Sequence, residues 1–214
     1  METTKTTVSK SKTASTLNLS EDIRGLDRSQ KDELLSQIGE LLVEQILSSV
    51  ADSKSPVNGN SFAPLSKDYA TIKKAETGSS KPNLDLTGSM LQSLDFNVSG
   101  NNIEIGVFGE DAGKADGHNN FSGSSKLPTR QFLPDTGEEF DKSIMSLISD
   151  TVDQYKADNL QLDPKELETI ESKAELYNYL SDVLGDLTMS ELKDLVLSSE
   201  MAVTLEEFNL LDLL

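Results

Sequence analysis

Apolar residues change their spacing along this chain, and that change restricts the fold more than any other feature. Between Asp27 and Val50, Leu34, Ile38, Leu41, Leu42, Ile46 and Val50 recur at helical spacing and fall on one stripe of a helix. Leu35, Val43 and Leu47 widen that face, and Asp27 or Ser29 can cap its start by accepting backbone N–H bonds. Further on the period becomes two. Leu94, Phe96 and Val98 alternate with polar residues, Ser99-Gly100-Asn101-Asn102 supplies a turn, and Ile103, Ile105 and Val107 alternate again. This predicts a hairpin with one buried face. Two strands alone are marginal, so further strands or a packed helix must complete the layer, and the first helix is the obvious cover. A second long helix follows from Phe140, Ile144, Leu147, Ile148, Val152 and Tyr155, running to about Lys156, with Thr136 and Glu139 as its capping box. The expected fold class is α+β: a small antiparallel sheet flanked by two long amphipathic helices, with a C-terminal all-helical extension.

The remaining segments set the domain organisation. Residues 1–24 are rich in Thr, Ser and Lys and read as an N-terminal arm, disordered alone or ordered on a partner. Residues 52–83 break the periodicity with Ser55-Pro56, Asn58-Gly59-Asn60, Ala63-Pro64 and Gly78-Ser79-Ser80. They form a long, mobile loop with a short helical piece near Leu65–Ala75. Thr87 to Leu91 reads as a capped single turn, 106–125 as loose chain, and Leu127 to Pro134 as an extended piece locked by its prolines. Beyond Asp158 the composition shifts. Residues 158–214 carry 14 Asp and Glu against 3 Lys and no Arg, so most of the chain's net charge of −18 lies there. Asp163-Pro164 opens a helix by cap and first-turn proline, and Thr188 with Glu191 and Thr204 with Glu207 repeat the capping-box pattern. Three apolar sets mark three short amphipathic helices: Leu176 to Leu184, Leu192 to Val196, and Leu205 to Leu214. They are too short to hold alone and must pack on each other or on a partner.

Composition limits the chemistry. A net charge of −18 opposes binding to phosphate backbones, yet suits a surface past which DNA travels without sticking; a halophilic origin explains the same charge. The chain has no Cys, which excludes disulfides and thiolate metal sites. Met1 to Ser20 has no apolar run of signal-peptide type, and no stretch approaches a membrane span. One His is present, His118, with Asp116 nearby, but its flexible Gly and Asn neighbours preorganise no catalytic base. The carboxylates between Gly109 and Gly117 lack the spacing of a calcium loop. Lys67, Lys73, Lys74 and Lys81 read as a solubilised loop or as a docking patch for an acidic partner. No catalytic, metal or cofactor site is expected.

Three segments in order resemble the bacteriophage virion-morphogenesis and tail-completion proteins, the small neck subunits of tailed phages. They are Gly59 to Lys73, with its aromatic-x-Pro-Leu-Ser core at Phe62 to Ser66; Leu84 to Leu94, with Thr87-Gly88; and Ala115-Asp116-Gly117-His118-Asn119-Asn120-Phe121 followed by Leu127-Pro128-Thr129-Arg130-Gln131-Phe132-Leu133. The resemblance covers about residues 25–157; Phe62 stands where Trp is common, the glycine usual after His118 is displaced to Gly123, and 158–214 has no counterpart. It implies an α+β module assembled as a homo-oligomeric ring, six copies being usual, in the neck that completes the tail and joins it to the head. The implied partners are other phage neck, connector and tail proteins, with DNA passing nearby unbound, no membrane, and a life in the host cytoplasm until assembly into the virion. Candidate interface residues are Phe62, Leu65, Tyr69, His118, Arg130 and Phe132. Arg130 pairs with a carboxylate on the adjacent subunit or within its own; Phe62, Leu65 and Tyr69 anchor the loop on a partner or pack on their own helix. The competing stations are tail terminator, head-side adaptor or stopper, and minor tail protein. From other classes come an acidic binding or mimic protein, and an enzyme using His118.

Overall fold

A computed structural model of the chain describes residues 7–11, 14–20, 22–84, 88–120, 128–159, 162, 164–184, 188–197, 199 and 201–214. Among these, 7–20 with 35–147 form one compact unit and 22–34 with 148–214 form another. The division assigns 22–34 and 148–157 to the unit that holds the acidic C-terminal helices, whereas the sequence reading drew its boundary after residue 157.

The first unit is built on a four-stranded sheet, β1 (Thr7–Ser11), β2 (Ala14–Asn18), β3 (Leu94–Ser99) and β4 (Asn102–Val107), in the order β1-β2-β4-β3 with every neighbour antiparallel. The expected hairpin is β3–β4: Gly100 takes φ 60°, and Ser99 faces Asn102 across the turn. Leu17, Ile103 and Val98 lie in one row across three strands, and Ser15, Ile105 and Phe96 in the next, so one face gathers the apolar residues. Leu17, Ile103, Ile105 and Val107 are fully buried. The arm expected over 1–24 is thus corrected at 7–11 and 14–18, which are strands, while 1–6, 12, 13 and 21 lie outside the described residues. Its Thr- and Ser-rich composition reads as solvated, but Leu17 and Leu19 bury completely and β-branched Thr suits a pleated strand. The strands supplied here complete the sheet.

Helix α1 (Arg28–Ala51) contributes its residues from Leu35 onward to this unit. Asp27 and Gln30 cap it reciprocally: Gln30 N–H donates to Asp27 Oδ1, and Asp27 N–H to Gln30 Oε1, both at 2.9 Å. The expected stripe is buried at Leu34, Ile38, Leu42, Ile46 and Val50. Gly39 belongs to the same stripe for a different reason: a Cβ there would lie 2.3 Å from Phe96 Cδ2 and Cε2. The ring of β3 packs on bare helix backbone, which fixes α1 as the cover of the sheet.

Within 52–83, the helical piece expected near Leu65–Ala75 is α2 (Lys67–Thr77), opened by Ser66 and closed by Gly78 in the left-handed region. After the four-residue turn α3 (Ser89–Gln92), whose expected cap Thr87 lies outside the described residues, the chain read as loose contains α4 (Ala112–Asn119). Gly113 and Gly117 disguise it, since glycine disfavours helix interiors, but Ala115 and Asn119, four apart, are both buried. Helix α5 begins at Lys142, so Thr136 and Glu139 are no capping box. Gly137 at φ 83° turns the chain there, and Asp141 takes the capping role instead, its Oδ1 accepting from Ser143 N–H at 3.0 Å and from the Ser143 hydroxyl at 2.7 Å.

The second unit takes α5 from Ile148 to Asn159, then α6 (Pro164–Leu167), α7 (Lys173–Leu184), α8 (Met189–Leu197) and α9 (Met201–Glu207). The C-terminal helices pack on each other: Ala157, Leu162, Leu167, Leu176, Leu180, Leu184, Leu192, Val196, Met201, Leu205, Leu210 and Leu214 form one buried cluster. Thr188 and Glu191 make the expected reciprocal cap, at 2.8 and 3.3 Å. Ser172 and Glu175 make another that the sequence reading passed over. Thr204 and Glu207 do not: α9 starts at Met201, which puts Thr204 in its middle. The architecture is α+β with a helical C-terminal region. Among the described residues, no helix is long and apolar enough to cross a membrane.

Candidate interface site around Arg130

Two of the three motif segments meet within the sheet unit. Arg130 is 5% exposed. Its Nε donates to the Ala63 carbonyl at 3.3 Å, and its Nη2 to the carbonyls of Ala63 and Pro64 at 3.1 and 3.4 Å. The rigid guanidinium fork therefore closes over a proline-interrupted stretch whose carbonyls have no helix or sheet to join. The Arg130 N–H donates to the His118 carbonyl at 2.9 Å. Burial pulls the Arg130 pKa down, and the nearby Tyr69 side chain acts the other way.

Position 130 is held from both sides. Asn119 is buried at the end of α4, and its Oδ1 accepts the N–H groups of Phe132 and Leu133, both at 2.8 Å. Its Nδ2 donates to the Leu133 carbonyl at 2.9 Å. One side chain thus completes the backbone bonding of an extended segment. Just beyond, the Ser15 hydroxyl of β2 donates to the Pro134 carbonyl at 2.6 Å. Among the described residues, Asn119 thus holds the extended segment to α4, and Ser15 ties it to the sheet.

The loop before α2 is anchored too. Phe62 is 7% exposed, and its N–H donates to the Ser53 carbonyl at 2.7 Å. Lys73, expected among the solubilising lysines, is buried: its Nζ donates to the Lys81 carbonyl at 2.7 Å and to Asn83 Oδ1. This stitches α2 to the chain that follows it and leaves Lys67 and Lys74 exposed.

The candidate residues thus divide. Phe62 and Phe132 are core, and Arg130 spends its fork on carbonyls of its own chain, in place of the expected carboxylate. Leu65 and His118 are half-buried. Tyr69 is 40% exposed and, three residues on, Ile72 is 53% exposed, so α2 carries two large apolar side chains into solvent. The pKa of His118 is lowered first by burial and then by the charge of Arg130, which favours the neutral ring. Asp116 does not orient it as a base: its Oδ1 accepts from Asn120 Nδ2 at 2.7 Å. Among the described residues, no group of three His, Asp or Glu side chains is placed to hold a metal ion. Asn119 and Lys73 were missed by sequence reasoning. An Asn-Asn pair reads as loop, and a lysine among lysines reads as surface.

The model of the phage virion morphogenesis family matches residues 17–155 of the chain. No curated protein and no solved structure matches it.

Proposed function

The chain belongs to the phage virion morphogenesis family, and from that premise we propose that it is a structural, non-enzymatic subunit of a closed ring in the virion neck, completing the tail and joining it to the head. The carrying observation is the display of Tyr69 and Ile72 on a helix that the fold otherwise anchors firmly through Lys73 and the loop leading to Arg130. Adjacent large apolar side chains in solvent, on a fixed support, suit a partner surface. A neighbouring copy supplies it in a ring, with Leu65 and His118 at its margin. Arg130, Phe62 and Phe132 serve the interface indirectly, by holding the loop in shape.

The acidic extension 158–214 lies wholly outside the matched residues, and its helices share an apolar cluster. We assign it to a neck, connector or tail protein particular to this virion. Its charge keeps passing DNA unbound. Light scattering on the purified chain tests the assembly: a mass of several copies, six by the family's habit, is expected. A single-copy mass for the wild type, or an unchanged oligomer in the doubly substituted Tyr69→Ser, Ile72→Ser chain, counts against this reading. Imaging the virion neck then distinguishes tail completion from a terminator, stopper or minor tail role.

A further inference from the structure

Among the described residues, four strands alternate in direction across the order β1-β2-β4-β3, so the two edge strands run opposite ways. Register decides which backbone groups those edges offer. Ser99 and Asn102 flank a two-residue turn, and a pair in that position exchanges both its hydrogen bonds. Counting in twos, Asn97 with Glu104 and Asp95 with Gly106 do the same, and the Phe108 N–H to Ser93 carbonyl bond continues the series. Phe96 and Val98 therefore turn their N–H and C=O groups away from β4, toward the open edge. The Phe96 N–H meets Asp95 Oδ1 at 2.8 Å, a local bond on an exposed side chain that an incoming carbonyl can replace. On β1, Ser11 faces Ala14 with two residues between, so Ser9 with Thr16 and Thr7 with Asn18 share its bonded set. The backbones of Val8 and Lys10 point outward.

We propose that β3 of one copy pairs antiparallel with β1 of the next, so that the sheet runs on from subunit to subunit. This rests on the ring reading and says how the ring is joined. The strand count argues for a second copy as the occupant. Rotation about a ring axis preserves the sense of every strand, and with four alternating strands β3 then meets the next β1 antiparallel, as at each joint inside the copy. The edges also match in length, six residues and five. Two different edges make a head-to-tail contact that closes by rotation, whereas one edge paired with itself stops at a dimer.

Val98→Pro and Lys10→Pro each delete one outward N–H and leave the inward ladder intact. With folding checked by circular dichroism, each variant alone is expected to run as a monomer, and an equimolar mixture to regain one joint and stop at a dimer. Rings formed by either folded variant overturn the pairing, as does Lys10→Pro dimerising by itself. Should a proline variant not fold, amide exchange on the wild type decides: the Val98 and Lys10 amides must slow on assembly by an order of magnitude or more, and unchanged exchange overturns the pairing. A wild-type chain that never assembles overturns the ring reading itself, while rings that persist in the edge variants overturn the pairing alone.

Discussion

Asn119 binds Leu133 in both directions: Oδ1 accepts the Leu133 N–H at 2.8 Å, and Nδ2 donates to the Leu133 carbonyl at 2.9 Å. A side-chain amide thereby reproduces the bonding of a neighbouring strand. Asn119→Ala leaves the N–H groups of Phe132 and Leu133 and one carbonyl buried without partners, at a cost of about 3 kcal/mol. Asn119→Asp keeps the acceptor, loses the donor, and should cost less. Urea unfolding checks the order; an Ala variant within about 0.5 kcal/mol of wild type would refute it.

Arg130→Lys keeps the charge but not the fork. An ammonium cannot span the Ala63 and Pro64 carbonyls as the guanidinium does, so the stretch before α2 should loosen. Limited proteolysis is expected to cut near Ala63 several times faster than in the wild type, with oligomer mass falling in parallel. Equal cutting rates would mean that the fork is dispensable.

Gly39→Ala should destabilise the chain although alanine is the better helix former. Propensity offers about 1 kcal/mol, against about 1–3 kcal/mol for forcing the Phe96 ring off the helix. Phe96→Leu should make the Gly39→Ala change neutral or favourable, and the double-mutant cycle measures that coupling.

Asp153 sets a pH signature. Burial, first, with the nearby carboxylates Asp150, Asp22 and Glu191, raises its pKa from 3.8 to about 6, against the pull of Lys156. A raised carboxyl pKa means the folded state holds its proton longer than the unfolded chain. The contribution is therefore full below pH 3.8 and is lost as pH rises through about 6. Asp153→Asn should remove this fall, which partial exposure limits to about 1 kcal/mol. Stability curves of the two proteins that stay parallel between pH 4 and 6 would contradict the assignment.

Legibility in the sequence followed the range of the interactions. Helix α1, the β3–β4 hairpin and the Thr188–Glu191 cap rest on spacing within one element, and each was readable as such. Helix α4 was not, because its two glycines speak against a helix while Asn119 gains its bonds from residues 132 and 133. The start of α5 was misplaced because Thr136 and Asp141 both offer caps, and only the turn at Gly137 chooses between them. At the candidate site, two of the ordered motif segments meet where Arg130 bonds the carbonyls of Ala63 and Pro64. What Arg130 and Lys73 do there was hidden, since both bind backbone carbonyls, and a carbonyl carries no residue-specific trace in a sequence.

The burial of Lys73 has a chemical consequence. An ammonium held by Lys81 and Asn83 is withdrawn from acylating reagents, while Lys67 and Lys74 on the same helix stay within reach. Acylation of that one amine therefore requires its bonds to Lys81 and Asn83 to break, so its rate against that of Lys67 and Lys74 measures how firmly α2 is held.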